Sequence, residues 1–151
     1  MRNKKGFTLV ELLAVIAIIA LISLVAIPNI IGLSAGVKKD QMLDDAKKMI
    51  STAKYLVNKD YQIKNLTKPS VCVSNVCTLQ LSLLNNYGDI SKDPDGGVYD
   101  QENSYVKYSK TGNTATYCVV LKGSQRHIGT ASDCKGENSL HSRSNVVDNV
   151  Q

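Results

Sequence analysis

The stretch FTLVELLAVIAIIALISLVAI (residues 7–27) decides how this chain is organised, since 18 of its 21 residues are Phe, Leu, Val, Ile or Ala. As a helix it would be about 31 Å long, close to the roughly 30 Å hydrocarbon core of a bilayer. Its large apolar residues favour insertion by roughly 4 to 8 kcal/mol, whereas an acid at mid-membrane costs at most about 3.5 kcal/mol. We therefore predict a membrane-spanning helix, with the basic residues before it on the cytoplasmic side.

The charge of the chain is concentrated at its beginning. Arg2, Lys4 and Lys5 are three of the 18 basic side chains, so residues 7–151 carry 15 basic side chains against 13 acidic ones. Such a small surplus is weak evidence for nucleic-acid binding. The sequence shows no Ser/His/Asp set and no carboxylate pair typical of catalysis, and we expect His127 and His141 to be surface residues. An enzyme is not expected.

Two simple interpretations of the apolar stretch leave something unexplained. A secretory signal peptide has a shorter apolar core followed by a small-residue cleavage site, and here the stretch is too long, with only weak sites near Ala26 and Ala35. A plain membrane anchor fits the length, but Glu11 then has no role, since an acid within a membrane usually has a partner. A third interpretation has to account for that glutamate.

The stretch KKGFTLVELL (residues 4–13) resembles the N-terminal signal of the type IV pilin family, including its pseudopilin relatives. The resemblance implies that a prepilin peptidase cuts between Gly6 and Phe7 and that the new amine of Phe7 is methylated. It also implies that the carboxylate of Glu11, at the fifth position of the mature chain, faces the Phe7 amine of a neighbouring subunit and sets the assembly register. Pro28 lies where pilins of this type commonly bend the helix.

The domain organisation and function follow from that resemblance. It implies a leader peptide (residues 1–6), a transmembrane and assembly helix (7–36) and an extracytoplasmic pilin head (37–151). The expected protein is a structural subunit of a type IV pilus, serving adhesion, twitching motility or DNA uptake. Its partners would be the prepilin peptidase, the assembly machinery, the cytoplasmic or inner membrane before assembly, and copies of itself or other pilins in an extracellular filament.

Two alternatives to a pilus subunit stay open. A pseudopilin of a type II secretion or competence machine would share every residue named above. A protein of another class, a non-polymerising single-pass membrane protein with a small binding head, would keep Gly6 uncut. The sequence does not indicate whether the head binds DNA, a host surface or other pili.

The helix continues into the head with a new pattern. After Lys38 the apolar residues recur at helical spacing, which predicts one buried stripe and a helix ending near Lys59. On the other side, Asp44 and Lys48 are spaced for an i, i+4 ion pair. The stripe consists of Met42, Ala46, Met49, Ile50, Ala53, Leu56 and Val57.

The second half of the chain has the alternation of strands. Residues 104–110 and 114–122 predict an antiparallel hairpin, and a third strand is expected within 126–132. The segment TLQLSLLNNYG (78–88) fits either a strand or a short helix, and the polar tail 135–151 is expected to be flexible. The fold class is therefore α+β: a long, bent N-terminal helix, half of it transmembrane, packed on a small antiparallel sheet with two disulfides.

The four cysteines support a disulfide-stabilised head outside the cell. A two-residue turn within VCVSNVC (71–77) would place Cys72 opposite Cys77, close enough to bridge. The remaining pair, Cys118 and Cys134, would match the C-terminal disulfide loop of many pilins, although three connectivities are formally open. The rival use, a zinc site with His127, lacks a second closely spaced pair of ligands.

The loop SKDPDGGVYD (91–100) is the one candidate for a metal site. Asp93, Asp95 and Asp100 present carboxylates around two glycines, and the loop resembles the Asp-Pro-x-Gly loop of major pseudopilins, some of which bind calcium there. The number of ligands is small, and a turn rich in Pro, Asp and Gly explains the same residues. No other cofactor is expected.

Overall fold

The computed structural model describes residues 7–59, 71–73, 76–90 and 92–149, with side chains except at 24–32 and 71–73. The chain divides into two compact units, Met1–Val37 and Lys38–Gln151. Helix α1 (Leu9–Asn58) contributes residues to both units, and the second unit also contains an antiparallel sheet. The α+β class expected from the sequence is confirmed.

In the first unit, the described residues are the N-terminal part of α1. This part is rich in Leu, Ala and Ile, and nearly all of its large apolar side chains between Phe7 and Ile22 are exposed. Within the described residues, no helical segment is both long and apolar enough to qualify as a membrane span. The helix assignment runs through Pro28, whose side chain lies outside those described, so the bend there stays a prediction.

In the second unit, α1 buries the stripe expected from its sequence. Met42, Ala46, Met49, Ile50, Ala53 and Leu56 are buried, and Val57 packs against them partly exposed. The expected Asp44–Lys48 pair is wrong: Asp44 binds Lys47 and Asp45 binds Lys48, both at i, i+3. Asp45 is buried at the edge of the stripe, and Lys48 reaches back to it. The helix ends at Asn58, as predicted to within a residue.

The sheet opposite the helix is antiparallel throughout the described strands. Its inward-facing residues Leu79, Val106, Val119, Leu121 and Ile128 are fully buried and form one core with the helix stripe. The strands lie in the order β1-β2-β3-β4-β5-β7, and β6 pairs with β4. Their bounds are β1 Val71–Val73, β2 Val76–Gln80, β3 Tyr105–Thr111, β4 Thr114–Lys122, β5 Arg126–Ile128, β6 Lys135–Gly136 and β7 Val146–Asp148.

The predicted hairpin is confirmed in β3 and β4. Thr111 pairs with Thr114, which leaves Gly112 and Asn113 as a two-residue loop. Such loops need a positive φ, and Gly112 has a φ of 60°. The third expected strand is also present, as β5 at Arg126–Ile128.

The segment that fitted either a strand or a helix forms both. Residues 78–80 complete strand β2, and helix α2 (Leu81–Leu84) follows at once. The change occurs at Gln80, whose backbone is extended with φ −68° and ψ 153°. Leu79 points into the core from the strand, and Leu81 and Leu84 do so from the helix. An alternating pattern and a helical pattern therefore meet within one apolar segment.

The expectation of a flexible tail is wrong over residues 135–149. This segment contains β6, two 3-10 turns (Glu137–Ser139 and Arg143–Asn145) and β7. Two apolar residues, Leu140 and Val146, insert into the core. Because only these two buried apolar residues occur among many polar ones, hydropathy alone does not reveal that the segment packs against the core.

Candidate functional site

The beginning of α1 is closed by a reciprocal pair of side chains. The backbone N–H and the hydroxyl of Thr8 both donate to Oε2 of Glu11, each at 3.0 Å. In return, the N–H of Glu11 donates to Oγ1 of Thr8 at 3.3 Å. Thr8 is the N-cap and Glu11 the third helical residue, which is the arrangement called a capping box. Glu11 therefore has a structural role within its own chain.

The capping box lies within a strongly apolar surface. Phe7 is 85% exposed, and Leu9, Val10, Leu12 and Leu13 are exposed around Glu11. Soluble monomers rarely expose a continuous apolar surface of this kind, which normally marks contact with lipid or with another protein. The apolar stretch identified in the sequence is therefore available for such contacts. Gly6, on the other side of the predicted cleavage point, lies outside the described residues.

One of the two expected disulfides is present among the described side chains. Cys118 of β4 is bonded to Cys134, which stands just before β6. That bond removes both thiols from the zinc site considered above. For the other pair, Cys72 and Cys77 are directly opposite in the β1–β2 register. The side chain of Cys72 lies outside the described residues, so this bridge stays a prediction.

In the aspartate loop (residues 93–97), Asp93 is buried, and both of its carboxylate oxygens accept hydrogen bonds. Its Oδ2 accepts from the N–H of Ser124 at 2.5 Å and from the Ser124 hydroxyl at 2.7 Å. Its Oδ1 accepts from the N–H of Asp95 at 3.0 Å. The close approach requires a glycine at 123, because a Cβ there would lie 2.8 Å from Oδ2 of Asp93.

Asp95 faces cationic groups. Both of its oxygens lie 2.6 Å from Nη1 of Arg126, and Nζ of Lys38 is 3.4 Å from Oδ1. The side chain of Asp95 is only 1% exposed. A charge buried to that extent is stable only when it is paired, and here an arginine and a lysine provide the pairing.

Asp100 belongs to a separate turn. Its Oδ1 accepts from the N–H groups of Asn103 at 2.9 Å and Glu102 at 3.1 Å, and its Oδ2 accepts from the Asn103 side-chain amide at 2.8 Å. These hydrogen bonds, first of all the one from the backbone N–H of Asn103, hold the pKa of Asp100 below its usual value. The three predicted carboxylates thus have three separate sets of partners.

The two histidines have different surroundings. The Nδ1 of His127 lies 2.7 Å from Oδ1 of Asn149, in a cleft of about 410 Å³ that Lys122 also lines. His141 is exposed at the surface. Among the described residues, no group of three or more His, Cys, Asp or Glu side chains is placed to hold a metal ion.

Several residues of these sites were missed in the sequence. Thr8 carried a usable signal, because Thr-x-x-Glu before an apolar run is the pattern of a capping box. Ser124 and Arg126 carried none, since both lie 31 residues from their aspartate partners. The hydrogen bond from Tyr99 to Asp45 spans 54 residues and was equally hidden. A helix cap can be recognised from the spacing of neighbouring residues, whereas a contact between distant residues becomes visible only in the folded structure.

Comparison with known proteins identifies the N-terminal segment. Residues 1–27 match the family described as the Prokaryotic N-terminal methylation motif. The searches of curated proteins and of solved structures found no match to the chain. The matched range contains Gly6, Phe7, Thr8 and Glu11, and it ends one residue before Pro28. Over residues 1–27 the chain therefore carries the signal motif of the type IV pilins and pseudopilins.

Proposed function

We propose that this protein is a structural subunit of a type IV pilus. It is made as a membrane-anchored precursor, cut by a prepilin peptidase between Gly6 and Phe7, methylated on Phe7 and polymerised through its N-terminal helix. The observation that carries the proposal is the methylation motif at residues 1–27, at the start of a helix whose apolar side chains are exposed.

The exposed helix surface supports polymerisation by simple energetics. Burying apolar surface is worth about 25 cal/mol per Å², so a surface such as that from Phe7 to Ile22 has to be covered. Lipid covers it in the precursor, and the helices of neighbouring subunits cover it in a filament. One segment then serves both as the anchor and as the assembly element, with the membrane and other pilins as its successive partners.

Glu11 gives the assembly its register in this proposal. Cleavage before Phe7 creates a cationic amine four residues before the glutamate. In an environment of low dielectric, that amine on one subunit and the carboxylate on the next are far more stable as a pair than either charge alone. A subunit displaced along the filament would leave both charges unpaired.

A pseudopilin of a secretion or competence machine is the second candidate. The aspartate loop favours it, because the sequence of residues 93–97 is similar to the loop of major pseudopilins. The two candidates differ in the amount of protein assembled and in the length of the filament. Electron microscopy of cells that express the chain at its natural level distinguishes many long surface filaments from short or absent ones.

The experiment that tests the proposal is the intact mass and N-terminal residue of the chain recovered from cells with a prepilin peptidase. We expect a chain that begins at Phe7 and is heavier by one methyl group. Cells without the peptidase provide the control, in which the chain should begin at Met1. A chain that begins at Met1 in both strains would contradict the proposal, and the non-polymerising membrane protein would replace it.

A further inference from the structure

The aspartate loop of residues 93–97 is tied to the sheet by its first carboxylate. Asp93 is 5% exposed, and both of its oxygens accept hydrogen bonds, from Ser124 and from the N–H of Asp95. The N–H of Gly96 donates to the carbonyl of Asp93 at 2.9 Å, so the chain reverses direction here. Gly96 and Gly97 allow this with φ values of 103° and 91°.

The second carboxylate of the loop is closed by an arginine. Nη1 of Arg126 lies 2.6 Å from both oxygens of Asp95, and Nε of the same guanidinium donates to Oδ1 of Asp148 at 2.7 Å. The Arg126 side chain is only 12% exposed. One cation therefore joins the aspartate loop, strand β5 and strand β7.

Helix α1 completes this charged cluster from its side. Lys38 lies 3.4 Å from Oδ1 of Asp95, and Lys39 lies 3.2 Å from Oδ2 of Asp148. With Arg126, these residues form a cluster of three cations and two carboxylates joined by ion pairs. Both carboxylates are therefore paired with cations of the chain itself.

These residues do not fit a calcium ion. Calcium requires six to eight oxygen ligands at about 2.3 to 2.6 Å. The oxygens of Asp93 are occupied by N–H and O–H donors, and those of Asp95 by a guanidinium that would repel a divalent cation. Asp100 uses its oxygens in its own turn, with Glu102 and Asn103.

We propose that the guanidinium of Arg126 holds the aspartate loop closed in the place of a divalent cation, so that the head of this protein folds without calcium. The aspartate loop then keeps an acidic sequence similar to that of a calcium site, but its bound cation is part of the chain. This inference concerns the head alone and holds whether or not the protein polymerises.

The test is thermal unfolding of the full chain in detergent micelles, with excess EGTA and with millimolar calcium. We expect the same Tm in both conditions for the natural chain. We expect Arg126→Ala to lower the Tm by on the order of 10 °C in both, because Asp95 stays buried without its closest cation and only the more distant Lys38 remains beside it. Arg126→Lys should restore only part of the loss, since an ammonium group is a point charge without the planar fork of arginine.

Arg143→Ala is the matched control, because it removes an arginine ion pair with Asp40 at an exposed site. Its Tm should remain within about 2 °C of that of the natural chain. A natural chain whose Tm rises by several degrees with calcium, or an Arg126→Ala chain as stable as the natural one, would overturn the proposal. Should Arg126→Ala fail to fold, equilibrium dialysis of the natural chain against calcium decides: stoichiometric binding overturns the proposal and no binding supports it.

Discussion

At the scale of single residues, Glu11 has two separable properties. As a hydrogen-bond acceptor it closes the start of α1 together with Thr8, and as an anion it would attract a cationic amine. The first property requires only an oxygen at the third helical position, which glutamine also provides. The second requires the charge.

Substitution of Glu11 therefore separates helix capping from assembly. We expect Glu11→Gln to be inserted and processed normally but to give at least about tenfold fewer filaments, because an amide does not pair with an ammonium as a carboxylate does. Glu11→Ala should behave similarly, and Thr8→Ala should keep most assembly because it retains the charge. Quantitative immunoblotting of sheared filaments measures the result. Natural filament levels in Glu11→Gln would show that the charge has no role in assembly.

Tyr99, two residues after the aspartate loop, and Asp45 of α1 form a buried polar pair. The hydroxyl of Tyr99 donates to Oδ2 of Asp45 at 3.0 Å, while Lys48 binds Oδ1 from the surface. Burial, together with the negative charge of Asp45, raises the pKa of Tyr99 far above its usual value. The phenol of Tyr99 is therefore neutral in the folded chain. Above the usual tyrosine pKa the phenol ionises in the unfolded chain, which stabilises the unfolded state relative to the folded one.

Removing the Tyr99 hydroxyl should destabilise the head. We expect Tyr99→Phe to reduce the free energy of unfolding by about 1 to 3 kcal/mol, because Asp45 remains buried with one partner fewer. Urea denaturation measures the change. Tyr55→Phe, at an exposed tyrosine, is the control and should be nearly neutral.

The same pair predicts how stability depends on alkaline pH. Because the folded pKa is raised, the stabilisation is complete below the ordinary tyrosine pKa of about 10 and is lost as the pH rises above it. The natural chain should therefore lose more stability between about pH 9 and pH 11 than Tyr99→Phe does. Denaturation curves at the two pH values check this, and equal losses in both chains would contradict it.

At the scale of elements, the loop of residues 129–134, which ends at the disulfide-bonded Cys134, packs closely against strand β4 at Gly129. Gly129 has a φ of 68°, and a Cβ there would lie 2.9 Å from the carbonyl oxygen of Val119 and 3.1 Å from that of Asp133. Gly112 in the hairpin has a similar φ of 60° but open space around it. Comparing substitutions at the two glycines therefore distinguishes the cost of a positive φ from the cost of a steric clash.

Alanine at these two glycines should give different losses of stability. Gly112→Ala is expected to cost about 1 to 2 kcal/mol, the penalty of a left-handed residue with a Cβ. Gly129→Ala should cost more, about 2 to 5 kcal/mol, since it adds a clash with two backbone carbonyls. Equilibrium unfolding of both variants tests the order. Equal losses would indicate that the loop moves away from β4.

Elements with a regular pattern could be predicted, and those held by isolated contacts could not. The stripe from Met42 to Leu56 and the alternation in β3 and β4 repeat often enough to reveal which face is buried. The tail has only Leu140 and Val146 as anchors, and its ion pairs to α1 join residues about 100 positions apart. No periodicity marks such a segment.

At the scale of the whole molecule, the two units differ in what they bury. Every buried hydrophobic residue within the described residues lies between Met42 and Val146, inside the second unit. We therefore expect residues 38–151, expressed alone under oxidising conditions, to fold into a monomer with a cooperative thermal transition. Circular dichroism and sedimentation velocity measure this. A non-cooperative transition would mean that the head needs the first unit.

The candidate site shows the same division between local and distant information. The N-terminal signal motif was predicted from the sequence alone, because Gly6, Phe7 and Glu11 lie within six consecutive residues, and the match of residues 1–27 to the methylation motif agrees. The aspartate loop was a candidate for a calcium site, with a simple turn as the alternative, and its arginine partner could not be predicted, because Arg126 lies on a strand that only the fold brings near.

The capping box leaves the two oxygens of Glu11 unequal. Both donor groups of Thr8 converge on Oε2, and none of the hydrogen bonds among the described residues of the N-terminal segment uses Oε1. An amine from another chain could approach Oε1 while Oε2 still closes the helix. In the filament proposed above, docking and undocking of such an amine would leave the end of the helix intact, so that a subunit enters or leaves many times without refolding of its N-terminal segment.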